Sequence, residues 1–234
     1  MKADFLILGG GIAGISAAAR LSDLGQVLLL EAETNFAHHA SGRSAALYEP
    51  FYGLTPVVAL SHASGDYLRT ANGGVLSPRG MMIVASGDER ATFARDVAVM
   101  DLVEISPDEA RAHMPILRAD KLQHAAWADH AWDIDTDLLI QNFLRQARAN
   151  GAIAETGARA TRITQSPGGW QVETPKGTYE GRILINATGA WVGEVAQMAG
   201  VATPVFTPMR RSMARIQAPG GLAVSRWHMV FGKG

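Results

Sequence analysis

Apolar residues come first as short unbroken runs. Phe5-Leu6-Ile7-Leu8 and Val27-Leu28-Leu29-Leu30 show no polar alternation, the pattern of parallel strands covered on both faces. Between them residues 12–24 are rich in Ala, Ile, Leu and Arg and predict a helix, with Gly25 at its C-terminal glycine position. Further on, residues 55–71 predict a helix with Pro56 in its first turn. Residues 79–85 predict a strand and residues 88–97 a surface helix. Ser106-Pro107-Asp108-Glu109 reads as a capping box that opens another helix. Residues 122–128 predict a strand. Residues 137–150 predict a helix with Leu139, Phe143 and Ala147 on its apolar face, Leu138 beside them and Gly151 ending it. Residues 160–163 and 170–173 then predict a hairpin through Ser166-Pro167-Gly168-Gly169.

Arg182-Ile183-Leu184-Ile185-Asn186 is a late apolar strand of the buried parallel kind. Residues 205–216 read as a strand leading away from it, and residues 228–231 as the start of one more. The chain thus visits two regions in turn. The expected fold is α/β, a Rossmann-like nucleotide-binding domain from residues 1–75 and 136–203. A sheet-rich α+β domain comes from residues 76–135 and 204–234. The finish after Phe231 predicts a C-terminally truncated chain.

The formal net charge of −1 and the lack of a basic stripe argue against a nucleic-acid partner. There is no Cys, which excludes disulfides, thiolate metal sites, Cys nucleophiles and a flavin tethered through sulfur. No apolar stretch is long enough for a transmembrane helix. The N-terminus lacks the pattern of a signal peptide, so a cytoplasmic protein is expected. Asp133-Ile134-Asp135-Thr136-Asp137 lacks the glycine of a calcium loop, Leu138 standing in its place, so no metal is expected.

The chemistry begins at Gly9, Gly11 and Gly14, which fit G-x-G-x-x-G between a strand and a helix. Gly9 suits a tight turn, Gly11 a close approach of backbone to pyrophosphate, and Gly14 close helix–strand packing. The N–H groups at Ile12 and Ala13, at the positive end of the helix, face the anion. Glu31, followed by Ala32, ends the second strand where an acid accepts ribose hydroxyls. Ala40-Ser41-Gly42-Arg43-Ser44-Ala45-Ala46 adds small residues, hydroxyls and a guanidinium suited to phosphate oxygens. Ala187-Thr188-Gly189-Ala190-Trp191 follows the late strand. A second phosphate-side turn in one domain suits the longer FAD molecule better than NAD.

These three segments resemble the D-amino-acid oxidase-like superfamily of FAD enzymes. Within it the resemblance runs toward the D-arginine dehydrogenases, through Leu76-Ser77-Pro78-Arg79, residues 133–137 and Pro208-Met209-Arg210-Arg211-Ser212. The resemblance implies that Gly9, Gly11, Ile12, Ala13, Gly14, Glu31, Ala32, Ser41, Gly42, Arg43, Ser44, Ala45, Ala46, Ala187, Thr188, Gly189 and Trp191 hold FAD. It places the backbone at Ala160 near the adenine. It implies that Arg211 grips a substrate carboxylate and that Tyr52 lines the substrate pocket. Met81 and Leu47 stand where the D-arginine enzymes have a glutamate and a histidine. Both changes remove polarity, which favours a neutral or apolar D-amino acid over arginine. Glu49 is the one nearby residue able to restore a negative charge. His38 and His39 read as solvated rather than as a covalent flavin tether.

The implied reaction removes a hydride from the substrate Cα to the flavin. The imine then hydrolyses to a 2-oxo acid and ammonia. The electron acceptor is a quinone or oxygen. The alternatives are a glycine or sarcosine oxidase, a 2-hydroxy-acid dehydrogenase on the same fold, or an inactive FAD-binding fragment. The truncated chain is expected to bind FAD weakly or not to turn over.

Overall fold

A computed structural model describes residues 2–232. In chain order the strands are β1 Lys2–Leu8, β2 Val27–Leu30, β3 Leu47–Tyr48, β4 Leu76–Pro78, β5 Met81–Ala85, β6 Val103–Ile105 and β7 His124–Ala128. They continue as β8 Trp132–Ile134, β9 Ile153–Glu155, β10 Arg162–Ser166, β11 Gly169–Thr174, β12 Gly177–Asn186 and β13 Met229–Phe231. The helices are α1 Ile12–Leu21, α2 Thr55–Thr70, α3 Arg90–Val99, α4 Pro107–His113, α5 Thr136–Ala149 and α6 Val192–Met198. The chain forms two compact units, residues 1–45 with 136–213 and residues 46–135 with 214–234.

The first unit holds a six-stranded sheet in the order β10-β11-β12-β1-β2-β9. β1 pairs in parallel with β12 on one side and β2 on the other, and β2 pairs in parallel with β9. Leu6, Leu8, Leu28, Leu30, Ile163, Val172 and Tyr179 make one core cluster. α1 buries Gly14, Ile15, Ala18 and Ala19 and packs against α5. Val27 to Leu30 are all buried, which is why that run has no polar alternation. The Rossmann-like expectation holds here, sheet and helices included.

In the second unit β13-β5-β7-β6 form one sheet and β3-β8-β4 another. The strand expected at 79–85 is β5 alone; Arg79 and Gly80 separate it from β4, and their N–H groups both donate to the Ala131 carbonyl, at 3.1 and 2.8 Å. Gly80 has φ +70° there, a conformation that favours glycine. Both N-terminal devices of α4 are present: Ser106 Oγ accepts the Glu109 N–H at 3.2 Å, and the Ser106 N–H donates to Glu109 at 2.8 Å.

Several expectations need correction. The helix expected at 12–24 ends at Leu21, with Ser22 as its cap. Gly25 is not its terminator but makes room for the Asp4 side chain. The helix expected at 88–97 is a 3-10 turn, Gly87–Glu89, and then α3, because Ser86 and Glu89 form a second capping box. The buried face of α5 is Ile140, Phe143, Leu144 and Ala147, one position round from Leu139. α2 groups with the second unit rather than with residues 1–45. Tyr48 explains this: its hydroxyl donates to the Ser61 carbonyl at 2.9 Å, and Arg69 of α2 lies over the Tyr48 and Trp132 rings. The strand expected at 205–216 is coil, with Val205, Met209 and Ile216 at least 80% exposed. Its composition suits a strand, but among the described residues no neighbour supplies a ladder, and strand preference depends on that context.

Leu6 has no exposed surface. Leu6→Ala is expected to lower unfolding free energy by about 2–5 kcal/mol. Urea unfolding should show a lower midpoint with an unchanged slope.

Candidate functional site: a dinucleotide cradle

Three loops of the first unit meet at the C-terminal ends of β1, β2 and β12. The register puts Leu8 beside both Leu30 and Asn186. The turns leaving the three strands are therefore neighbours in space. The Gly9 N–H donates to the Leu30 carbonyl at 2.8 Å, and the Ala187 N–H to the Leu8 carbonyl at 2.9 Å.

The glycines are there because nothing else fits. A Cβ on Gly9 would strike the Ala187 carbonyl, and Gly9 has φ +105°. A Cβ on Gly14 would strike the Gly9 carbonyl and reach the Ala187 methyl. Gly11 differs: a Cβ there would meet only Ser41 Oγ, at 3.2 Å. Gly11 thus keeps open the side on which a ligand would lie.

The first helical N–H points at a hydroxyl. Ile12 N–H donates to Ser41 Oγ at 3.0 Å. Ile12 and Ala13 are exposed at the helix start, where unpaired N–H groups and the helix dipole favour an anion. Ser41 sits in a 3-10 turn, Ala40–Arg43. Gly42 lets this turn close on the Ala37 carbonyl, and the Ala37 N–H donates to the Gly10 carbonyl at 2.8 Å. The Ser41 segment is thereby tied to the glycine loop. Arg43, Ser44 and Ala45 are exposed beside it, with Arg43 Nη2 3.2 Å from His38 Nε2. Ala46 begins the second unit, where its carbonyl accepts the Ile134 N–H.

Glu31 is buried at the end of β2. One carboxylate oxygen accepts the Gly10 N–H and the other the Glu33 N–H, at 2.8 Å. Each oxygen keeps a second lone pair for a ribose hydroxyl. Ala32 follows, half-buried. The Ala158 N–H donates to the Glu31 carbonyl at 2.8 Å. This brings the segment that leads to Ala160 alongside the acid.

In the third loop Thr188 donates through its hydroxyl to Asn186 Oδ1 at 2.7 Å, and Asn186 Nδ2 donates to the Val192 carbonyl at 2.8 Å. Gly189, at φ +57°, starts a 3-10 turn ending at Trp191. The Trp191 ring lies 4.7 Å from the ring of His39. His39 Nε2 in turn lies 3.2 Å from Glu33 Oε1, which also accepts from Arg159 at 3.0 Å. The hydrogen bond to His39 is the main cause that holds the Glu33 carboxyl below its ordinary range. His38 is exposed as expected, whereas His39 is partly buried between Trp191 and Glu33. Glu33, His38 and His39 bring three ligand-type atoms within 4.8 Å, but Arg159 already neutralises the carboxylate. Sequence reasoning missed Glu33, Ala37 and Arg159. Their contacts run over long sequence separations and carry no motif.

An extended diphosphate ligand fits this cradle. The backbone is open at Gly11, the first helical N–H is held by Ser41 Oγ, a buried acid ends β2, and small residues line the rim. Residues 4–231 match the DAO family, described as FAD dependent oxidoreductase. The chain belongs to that family. Its cofactor is FAD.

Among curated relatives of the chain, mitochondrial dimethylglycine dehydrogenase of Rattus norvegicus is 25% identical over 96% of this chain and 28% of its own length. The FAD-dependent oxidoreductase domain-containing protein 1 of Mus musculus is 24% identical over 100% of this chain and 56% of its own. N-methyl-L-tryptophan oxidase of Salmonella arizonae is 25% identical over 99% and 64%. The chain therefore spans about a quarter to two thirds of these relatives. Among solved structures, glycine oxidase of Geobacillus kaustophilus superposes with a TM-score of 0.74 at 21% identity. That match covers 86% of this chain and 59% of the other. L-alpha-glycerophosphate oxidase of Mycoplasma pneumoniae, solved with FAD bound, also gives 0.74 at 22% identity, over 86% and 57%. The structural likeness shows the fold. These matches carry the family and not the narrower likeness to D-arginine dehydrogenase.

In the second unit Tyr52 is exposed and stacks on Phe231 at 6.4 Å. It lines a cleft of about 200 Å³ with Ile83, Phe93, Phe231, Glu89 and Asp96. Met81, expected at a substrate pocket, is instead fully buried in a core cluster against which Leu47 packs. The Glu49 side chain is 4% exposed and faces His130, so it offers no free charge at a surface. Arg211 and Arg210 group with the first unit, not with the second as expected, and lie in exposed coil, not on a strand. Among the described residues no helix is long and apolar enough to cross a membrane.

Gly14→Ala should weaken FAD binding by more than about tenfold, or 1.4 kcal/mol, and also lower the thermal midpoint, because its neighbour is backbone. Gly11→Ala should weaken FAD comparably and leave the midpoint near wild type, because Ser41 Oγ can turn aside. Flavin-fluorescence titration and thermal melting separate the two.

Proposed function

We propose that the protein is an FAD-dependent amine oxidoreductase that oxidises the Cα–N bond of a small amino acid with a neutral or apolar side chain. The observation that carries this reading is the three-loop cradle, with Ser41 Oγ on the first helical N–H, in a chain of the DAO family. When bound, FAD supplies the oxidising equivalent by accepting a hydride, and the protein supplies position and polarity. Ile12 and Ala13, with Ser41, Arg43 and Ser44, hold the pyrophosphate. Glu31 and Ala32 fix the ribose and Ala160 borders the adenine. Gly42, Ala45 and Ala46 and then Ala187, Thr188, Gly189 and Trp191 line the remaining length.

The substrate class rests on the relatives, which are named for dimethylglycine, glycine and N-methyl-L-tryptophan, all amines with an uncharged side chain. Arg211 is the residue proposed to take the substrate carboxylate with a two-pronged hydrogen bond. Tyr52 is proposed as the pocket wall. The product imine would hydrolyse in water to a 2-oxo acid, with release of ammonia or, from an N-methylated substrate, of methylamine. The names of two relatives favour an N-methylated amine as a second reading, alongside a primary D-amino acid.

The FAD-loaded protein should lose its flavin colour anaerobically with sarcosine, an N-methyl amino acid or a neutral D-amino acid. It should do so more slowly with D-arginine and not at all with 2-hydroxy acids. A preference for D-arginine would overturn the apolar-substrate reading, and no bleaching by any amine would leave a flavin-binding protein without this activity. With a substrate in hand, Arg211→Met should raise KM about tenfold or more with a smaller change in kcat.

A further inference from the structure

Beneath the turn that carries Tyr52, a carboxylate and an imidazole are buried together. The Glu49 side chain is 4% exposed and that of His130 21%. Glu49 Oε1 lies 3.2 Å from His130 Nδ1 and also accepts the Phe51 N–H at 3.2 Å. Glu49 Oε2 and His130 Nδ1 are both buried, and among the described residues neither makes a hydrogen bond, Nδ1 meeting Glu49 only at ion-pair distance. The other ring nitrogen, His130 Nε2, is 3.3 Å from the Asp101 carbonyl oxygen.

The proton count follows from these neighbours. A carbonyl oxygen only accepts, so His130 Nε2 carries a hydrogen. Nδ1 of a neutral ring is then an acceptor, and it faces a carboxylate oxygen, which is another acceptor. Two acceptors so close repel unless a proton lies between them. The pair therefore binds one such proton, as carboxylic acid beside imidazole or as carboxylate beside imidazolium. Either form has no net charge, which is the condition under which such groups stay buried.

This pair is also fastened to the chain. Phe51 packs edge-on against the His130 ring at 5.0 Å and the His62 ring at 5.1 Å. The Tyr52 N–H donates to the Glu49 carbonyl at 3.4 Å. Side chain and backbone of Glu49 thus both hold the two residues that end in Tyr52.

We infer that Glu49 and His130 are positioning residues that share one proton and set, through Phe51, where the Tyr52 ring stands. Its meaning for catalysis rests on the reading of Tyr52 as a substrate wall, but the pair can be tested without that reading. Burial raises the Glu49 carboxyl above its ordinary value, opposed by the Phe51 N–H and by His130. A raised value means that the folded chain holds this proton more tightly than the unfolded chain. The stability it contributes is complete below the ordinary glutamate range and is lost as pH rises through the raised value. The titratable neighbours on the elements that meet here are His62 on α2, and Asp101 and Asp129 in the loops that flank His130. A response due to any of them would survive in Glu49→Gln.

The test labels the protein with 3-fluorotyrosine and follows the Tyr52 fluorine resonance, assigned by its loss in Tyr52→Phe. Between about pH 4 and 8, below the phenol's own titration, the wild-type resonance should move in a single one-proton transition. Glu49→Gln keeps the shape and offers an amide N–H to Nδ1, so its resonance should stay fixed. His130→Gln removes a partner that opposes the rise of the Glu49 carboxyl, so there the transition should move to higher pH, and an unmoved transition would overturn the shared proton. A wild-type resonance that does not move, or a transition that persists in Glu49→Gln, would overturn the inference. The readout needs neither flavin nor substrate, so failure of amine oxidation would not touch it.

Discussion

The arrangement of the nucleotide unit depends on one constraint, the two-sided parallel pairing of β1. With β12 and β2 in register on either flank, the chain must leave all three strands at the same edge. The turn after β1 and the helix that follows it then sit so close to their neighbours that two positions admit only glycine. Gly9 lies under the Ala187 carbonyl and Gly14 under that of Gly9. The cradle is thus a consequence of strand order before it is a ligand site. Loss of the parallel pairing would remove the reason for the glycines as well as the ligand groups. This is the general habit of open parallel sheets, where ligands collect at the carboxyl ends of the strands.

Much of this unit was legible because the sequence repeats the same demand at several levels. An unbroken apolar run, a glycine triplet, a helix and an acid at the next strand end leave little room for another fold. The late strand at 182–186 was legible for the same reason, its apolar residues having nowhere to go but a covered sheet. What failed was local. Leu139 and Ile140 are adjacent and equally apolar, and only the direction from which α1 approaches α5 decides which is buried. Residues 205–216 failed for the opposite reason. Val205, Met209 and Ile216 suit a strand, but pairing is set by a partner and not by the residue itself.

The second unit shows where reasoning from one residue to one role stops working. Met81 and Leu47 suggested an apolar pocket because each replaces a polar residue by resemblance. The chain instead uses them to fill a core with Phe93, Ala128 and Ala131. Their lack of polarity is real, but its first use is packing. Glu49 went the other way. It appeared as a free charge near Leu47, and its partner His130 lies far along the sequence with no motif to join them. A pair made by tertiary folding has no sequence spacing, so it could not have been read in advance.

Glu31 shows how the same group serves fold and ligand together. In the structure both its oxygens hold backbone N–H groups, those of Gly10 and Glu33. These contacts fix the carboxylate before any ribose arrives, and the fixed orientation lowers the ordering that binding must supply. Each oxygen can accept twice, so a ribose hydroxyl adds a contact rather than displacing one. The same does not hold at Ser41. Its hydroxyl occupies the Ile12 N–H that a pyrophosphate oxygen would take, so the anion must either displace it or accept its hydrogen. In the proposed reading the ribose end of the cradle would be set in advance, and the phosphate end would be the part that rearranges.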